Sequence, residues 1–287
     1  MVDKKKKEII LKCIAGVLAV LLFCVLVSSA KEFDKGTDTT YEIVCLGDSN
    51  FGNFQNETGI VAKLEKRLGQ PVLNGGFGGT TMTCNYDKKT EYTPALSMYQ
   101  IAASIQNKNF GVQKSAIDVL ARTNNLGYFE NTVNRLANVD FDKVKILIIE
   151  HGVNDYLGGV TIEDGRNPED VGTFKGALKE IITMLKKEYP DMRIILVTPS
   201  YCAPYSESEG FRSCALYDYG GGCLEAYVNA EIEVAKEMNV EVIDLYHEMD
   251  IDENNYMGCF LDGLHYTEEM REAVADIIAD YLLGEAK

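Results

Sequence analysis

Ser49 closes the triplet Gly47-Asp48-Ser49, directly behind the apolar run Ile43-Val44-Cys45-Leu46. A serine just past a strand, behind a flexible glycine, stands where an activated nucleophile can meet a ligand. The next glycine is Gly52, one position late for the G-x-S-x-G elbow of the α/β-hydrolases. A serine nucleophile needs a base, and the chain has only 3 histidines. His247 lies beside Glu248 after the last expected strand and reads equally as a surface residue, and His151 ends the third and can line a crevice. His265 closes Asp262-Gly263-Leu264-His265, just before the final helix. An aspartate three residues ahead on a bent loop can reach Nδ1, fix the tautomer and leave Nε2 for the serine. By that test His265 is the base. Acyl transfer also needs donors for an oxyanion. Asn154, in Gly152-Val153-Asn154-Asp155, offers an amide, and the loop Asn74-Gly75-Gly76-Phe77-Gly78-Gly79-Thr80 lets a backbone N–H approach a ligand closely. Asp48 and Asp155 read as structural, bonding nearby N–H groups.

These residues must be held by a frame, and the chain alternates short β-branched runs with helical periods. Strands are expected at 41–46, 71–73, 144–150, 192–198 and 240–245; VKILIIE and MRIILVT are nearly continuous apolar runs, as in strands covered on both faces. Helices are expected at 173–188, with Phe174, Ala177, Leu178, Ile181, Ile182 and Leu185 inward, at 224–238, and at 268–283. In the last, Met270, Ala273, Val274, Ile277 and Tyr281 point inward and Thr267 is the N-cap. The alternation implies an α/β fold with a parallel sheet between helices, in one domain. Long loops at 75–94 and 200–222 follow strands and so rim one crevice. They and their flanks hold Tyr86, Tyr92, Tyr99, Tyr201, Tyr205, Tyr217 and Tyr219, which read as a sugar-stacking or acyl-lining rim or as loop packing.

Of 287 residues, 46% are apolar, enough for a sizeable core. The net charge of −16 excludes binding nucleic acid through a basic face. It is uneven: five lysines and two acids give residues 1–30 a charge of +3, so the remainder carries −19. Lys4-Lys5-Lys6-Lys7 precede an apolar run over 13–27 and the small residues Ser28-Ser29-Ala30. That is the pattern of a membrane anchor or of a cleaved signal peptide, with 31–40 as a linker; in both cases the acidic body is exported and only the N-terminal segment meets a membrane. Of six body cysteines, Cys45 lies in a strand, and a pair among Cys202, Cys214 and Cys223 can staple their loop. No C-x-x-C spacing suggests zinc. Asp250-x-Asp252-x-Asn254 lacks the glycine and terminal glutamate of a calcium loop and reads as a solvated turn. The glycine loop lacks a dinucleotide or P-loop spacing. Asn56-Glu57-Thr58 matches a glycan sequon.

Gly47-Asp48-Ser49, the loop glycine after Asn74, Gly152-x-Asn154 and Asp262-x-x-His265, in that order, resemble the four blocks of the SGNH (GDSL-type) hydrolase family over roughly residues 41–283. The resemblance implies a flavodoxin-like αβα three-layer sandwich with a five-stranded parallel sheet. It implies Ser49 as nucleophile, His265 as base and Asp262 as its orienter. Oxyanion donors would be the N–H of Ser49, the N–H of Gly79, with Gly76 and Gly78 as alternatives, and the Asn154 side chain. It calls for no metal or other cofactor. The expected activity is hydrolysis of carboxylic esters, O-acetyl or similar short acyl groups on carbohydrate. An anchored acyltransferase working on a wall polymer, a lipase or thioesterase, and a non-catalytic surface-binding protein on the same fold are the alternatives.

Overall fold

Ile43–Gly47 forms β1, buried along its whole length, and it lies between β2 (Val72–Asn74) and β3 (Ile146–Glu150). The computed structural model describes residues 40–84, 93–122, 127–208 and 210–285. The N-terminal segment 1–30, nearly all of the linker 31–40, and Tyr86 and Tyr92 lie outside the described residues. Among the described residues, no helix is long and apolar enough to cross a membrane.

The sheet is completed by β4 (Arg193–Val197) and β7 (Glu241–Ile243), in the order β2-β1-β3-β4-β7, all parallel. A separate two-residue hairpin pairs β5 (Tyr205–Ser206) with β6 (Gly210–Phe211) inside the long loop after β4. All five expected strands are present, each trimmed by a residue or more at an end. The helices are α1 (Ser49–Gly52), α2 (Ile60–Leu68), α3 (Thr93–Leu96), α4 (Met98–Gln106), α5 (Gly111–Arg122), α6 (Phe129–Ala137), α7 (Val153–Leu157), α8 (Phe174–Glu188), α9 (Leu224–Met238), α10 (Leu245–Glu248) and α11 (Glu268–Leu283). From β1 the chain moves outward to β2, then crosses back past β1 to β3 and on to β4 and β7. Right-handed crossovers in opposite directions put helices on opposite faces. Accordingly α11 packs on α2, whereas α4 and α9 pack on α8. The result is the three-layer α/β/α sandwich expected. The direction of winding reverses between β1 and β3, and ligands of such sheets sit outside the strand C-termini at that reversal. Gly47 and Glu150, register partners, end those two strands.

Every residue expected inward on α8 is buried, and Thr173 caps it by accepting from Gly176 N–H at 3.2 Å. Thr267 caps α11 as expected. The inward face of α11 needs correcting: Arg271, Val274, Ala275, Ile278 and Ala279 are buried, whereas Met270, Ala273, Ile277 and Tyr281 sit at its margin. Arg271 can be buried because its guanidinium donates to Thr58 O at 2.7 Å and to Tyr266 O at 2.6 Å and lies over the Phe54 ring. Its donors find carbonyls, which removes the usual cost of an interior charge.

On α9, Glu231 is fully buried and neither carboxylate oxygen has a partner among the described residues. Burial, with the nearby charges of Asp244 and Asp155, pushes its carboxyl well above the usual range. A raised folded value means that stability is intact below the unfolded value, about pH 4.3, and is lost as pH rises toward the folded one. Glu231→Gln is therefore expected to raise the melting temperature at pH 8 by several degrees, about 2–4 °C for each kcal/mol recovered, and to change little at pH 4. Thermal melts at the two pH values check this; an equal shift at both would refute it.

Candidate active site

Asp48 caps α1, its Oδ1 accepting the Asn50 N–H at 2.9 Å, and this turns the chain so that Ser49 opens the helix at the end of β1. Gly47 must lack a side chain, since a Cβ would lie 2.8 Å from the Phe51 ring and 3.1 Å from Glu150 O. Ser49 is 5% exposed, and its Oγ forms no hydrogen bond among the described residues. A buried turn serine normally bonds to nearby backbone. This one is held without being used.

Asp262 and His265 form a closed turn. Asp262 Oδ1 accepts the N–H groups of Leu264 (3.0 Å) and His265 (2.8 Å), and Oδ2 lies 2.7 Å from His265 Nδ1. With carboxylate against Nδ1, the proton resides there and Nε2 is left as an acceptor. Burial works against a charge on His265, but the hydrogen bond and charge of Asp262, with the charge of Asp48, outweigh it and hold the imidazole above its ordinary range. Burial alone would raise Asp262; the hydrogen bonds and charge of His265 instead hold it at about 2. Gly263 permits the turn, with φ +84°, and a Cβ there would meet Ala203 O at 2.0 Å. Ser49 Oγ and His265 Nε2 are not hydrogen-bonded to each other; the link between the two segments is electrostatic, the charge of Asp48, the residue before Ser49, acting on His265. Such bonds often tighten only when substrate binds.

The glycine loop is sorted by its own hydrogen bonds. Gly75 N–H donates to Cys45 O, Gly76 N–H to Asn74 Oδ1, Phe77 N–H to Gly47 O, and Gly78 N–H to Tyr128 Oη at 2.8 Å. Gly79, exposed and at φ +75°, is the glycine of this loop whose N–H has no partner among the described residues. The N–H of Ser49, at the first position of α1, is likewise unpaired among them. Asn154 differs. Its Nδ2 donates to Asp48 Oδ2 at 3.1 Å and to Thr80 O at 2.9 Å, so both amide hydrogens are engaged. It can serve an oxyanion only by sharing or exchanging one of them.

A family model, the GDSL-like lipase/acylhydrolase family, matches residues 45–273. The chain belongs to that family. It is similar to a GDSL esterase/lipase of Arabidopsis thaliana, 30% identical over 118 residues, which cover 39% of this chain and 48% of that one. The chain thus spans about half the length of that curated relative. Among solved structures, a Lactobacillus plantarum protein aligns with TM-score 0.61 and 16% identity, covering 88% of this chain and 100% of its own. An aryl esterase of M. smegmatis aligns with TM-score 0.53 and 15% identity, and Est24, a carbohydrate acetylesterase from Sinorhizobium meliloti, with TM-score 0.52 and 15% identity; each alignment covers 85% of this chain and 99% of the other. At these identities the likeness is one of fold.

Within this GDSL-family site several residues were not legible in the sequence. Glu150 ends an apolar strand and is buried against Asp48; burial pushes both carboxyls above their usual range, and each shifts the other. The one acid inside the run ILIIE was the available signal. Asp155, expected to be structural, accepts from Met82 N, Thr83 N and Thr83 Oγ1 and so ties the glycine loop to α7. His151 is not a base: it is buried, its Nε2 faces Thr80 Oγ1 at 3.3 Å, and burial drops it to about 3. Thr80 already donates to Phe77 O, so His151 must supply the hydrogen in that contact. His247 repeats the catalytic-type turn, its Nδ1 2.7 Å from Asp244 Oδ2, but its Nε2 faces Glu225 at 3.8 Å on a half-exposed surface. Of the loop tyrosines, Tyr201 is buried, Tyr217 and Tyr219 pack on each other with Tyr219 against Tyr156, and Tyr205 stands exposed. The Asp252 loop closes on its own Asn254 and Asn255, and the described residues hold no cluster of metal-ligating side chains.

Tyr128 Oη accepts from Gly78 N–H and donates to Asn53 Oδ1 at 3.2 Å, which bridges the Gly78–Gly79 turn to the residue that follows α1. Tyr128→Phe removes the bridge and leaves Gly78 N–H unpaired, at a cost of about 1–3 kcal/mol. If Ser49 and Gly79 donate together, kcat for ester hydrolysis is expected to fall roughly 10–100-fold with KM little changed, because donors displaced by a fraction of an ångström lose transition-state contact. Steady-state kinetics beside a thermal melt separates this from simple destabilisation.

Proposed function

We propose that the chain is a serine esterase cleaving short acyl esters, O-acetyl groups on carbohydrate foremost. The observation that carries this reading is the Asp262–His265 turn, which leaves Nε2 as an acceptor on a ring that feels the charge of Asp48, the residue before Ser49, whose hydroxyl has no bonding partner among the described residues. Ser49 Oγ attacks the ester carbonyl carbon as its proton passes to His265 Nε2. The N–H groups of Ser49 and Gly79 receive the oxyanion, and the Asn154 amide joins them by turning one hydrogen away from Thr80 O. His265 then protonates the leaving alcohol, an acyl–Ser49 ester remains, and water activated by the same imidazole releases the acid. No step calls on a metal or other cofactor.

The substrate class is supported by three features: the fold likeness to Est24, a carbohydrate acetylesterase, the exposed Tyr205 and Phe211 near the His265 turn, and a body charge of −19 that favours a neutral ester over a polyanion. Residues 1–30 are proposed to export the body, as anchor or cleaved signal, from their basic-then-apolar order. Fractionation of cells making the full chain tests the latter, and recovery from the cytosol would refute it. For the site, a fluorophosphonate probe should label Ser49, and acetate should be released from an O-acetylated oligosaccharide. An unlabelled Ser49 sinks the mechanism. A labelled enzyme that prefers long acyl chains and spares acetyl sugars sinks the substrate class alone.

A further inference from the structure

The hairpin beside the His265 turn carries a register that reaches two cysteines. Tyr205 pairs with Phe211 and Ser206 with Gly210, antiparallel. Carried inward by the same register, Pro204 faces Arg212, whose N–H donates to Pro204 O at 3.0 Å, and Cys202 faces Cys214, whose N–H donates to Cys202 O at 3.0 Å. The return bond from Cys202 N–H goes to Cys214 Sγ at 3.1 Å rather than to a carbonyl. The two thiols also perturb each other's protonation. Directly opposed residues of an antiparallel pair have Cα atoms about 4.5–5.5 Å apart, inside the span of roughly 4.4–6.8 Å that a disulfide bridges. Both residues are buried, at 2% and 0% exposure. The other described cysteines have different partners or settings: Cys84 contacts Pro94 O and Gln100, Cys259 contacts Asn255 O, and Cys45 lies in the sheet.

We propose that Cys202 and Cys214 are a disulfide site that staples the base of this hairpin. Two thiols lose two protons and two electrons to form one S–S bond; the oxidant is a disulfide of a thiol–disulfide exchange partner, which leaves as two thiols. Because both sulfurs are buried in the folded chain, exchange takes place before the loop packs, during folding. The staple matters to the site. Ala203, next to Cys202, donates its N–H to Gly263 O at 2.7 Å, and a Cβ on Gly263 would lie 3.1 Å from the Phe211 ring. The Asp262–His265 turn therefore rests on both strands of the stapled hairpin. Cys223 begins α9 as its N-cap residue. All six body cysteines, Cys202 and Cys214 included, are unbridged in the structure.

The test is refolding of the full chain in a mixture of oxidised and reduced glutathione, alkylation of remaining thiols, digestion without reductant and mass mapping. A linked peptide pair containing Cys202 and Cys214 is expected, with the other six cysteines, Cys13, Cys24, Cys45, Cys84, Cys223 and Cys259, alkylated. Alkylated Cys202 and Cys214, or a link from either to Cys223, overturns the proposal. In parallel, reductant should lower the melting temperature of the oxidised wild type by roughly 5–10 °C and leave a Cys214→Ser variant unmoved. Equal sensitivity of the two also overturns it. Neither readout depends on esterase activity, so this proposal and the catalytic one fail separately.

Discussion

Replacing Ser49 with alanine is expected to lower kcat/KM on a short-chain aryl ester by about 10^5–10^6-fold, while the melting temperature stays near that of the wild type. Removing the nucleophile from a serine hydrolase takes away the covalent route, and what remains is the binding and oxyanion contribution. The expectation that stability is spared follows from the structure: Ser49 Oγ forms no hydrogen bond among the described residues, and the turn is held by the Asp48 cap instead. A serine kept for its turn would behave in the opposite way, with stability falling and turnover intact. Hydrolysis and a thermal melt measured on one preparation decide between the two. Turnover within tenfold of wild type would overturn the assignment of Ser49.

Asp262→Asn is expected to cost about 10^3–10^4-fold in kcat/KM at pH 8 and to move the acid limb of the pH profile downward. The structure gives the direction. Oδ1 accepts two backbone N–H groups and must remain an oxygen, so the new amide nitrogen takes the place of Oδ2 against His265 Nδ1. An amide donor there forces Nδ1 to accept, the ring proton moves to Nε2, and the base can no longer take a proton from Ser49. The pH effect has a separate origin. Only neutral His265 is a base, so activity is lost as pH falls through its folded value, which Asp262 and Asp48 hold above the ordinary 6.5. Without the Asp262 charge that value drops and the limb follows. A pH–rate profile in which the variant keeps both the rate and the wild-type limb would show that Asp262 does not orient the base.

The strands were legible because three of them are apolar runs whose burial leaves no other place for them. The helices were legible only where the apolar period is strong. α8 was read correctly, but α5 was not picked out, since it buries Gln113 and leaves Val112 at 52% and Val119 at 39% exposure. Gln113 is buried because its amide bonds Ala95 O, Gln100 O and Ser104 Oγ, partners that lie on other segments. Arg271 on α11 misled for the same reason.

The test used to choose the base shows the limit most sharply. An aspartate three residues before a histidine occurs twice, at Asp244 and Asp262, and both pairs close the same turn with the same 2.7 Å contact. Local sequence fixes that turn, because an Asx-type bend needs only neighbouring N–H groups. It does not say where Nε2 points.

What the sequence by itself determined is local: the serine behind a strand, the two Asp-His turns, the glycine loop and the order of strands. What only the tertiary structure decided is which of these meet. Packing leaves His247 facing Glu225, whereas His265 lies within the influence of the charge of Asp48, the residue before Ser49. Tyr128 Oη, brought from elsewhere in the chain, accepts the N–H of Gly78, and the adjacent Asn74 accepts that of Gly76, so the free donor is Gly79. The physical reason is common to all of these. A turn is settled by a few adjacent backbone groups, whereas the availability of a nitrogen, an N–H or a hydroxyl depends on partners brought from elsewhere in the chain by packing.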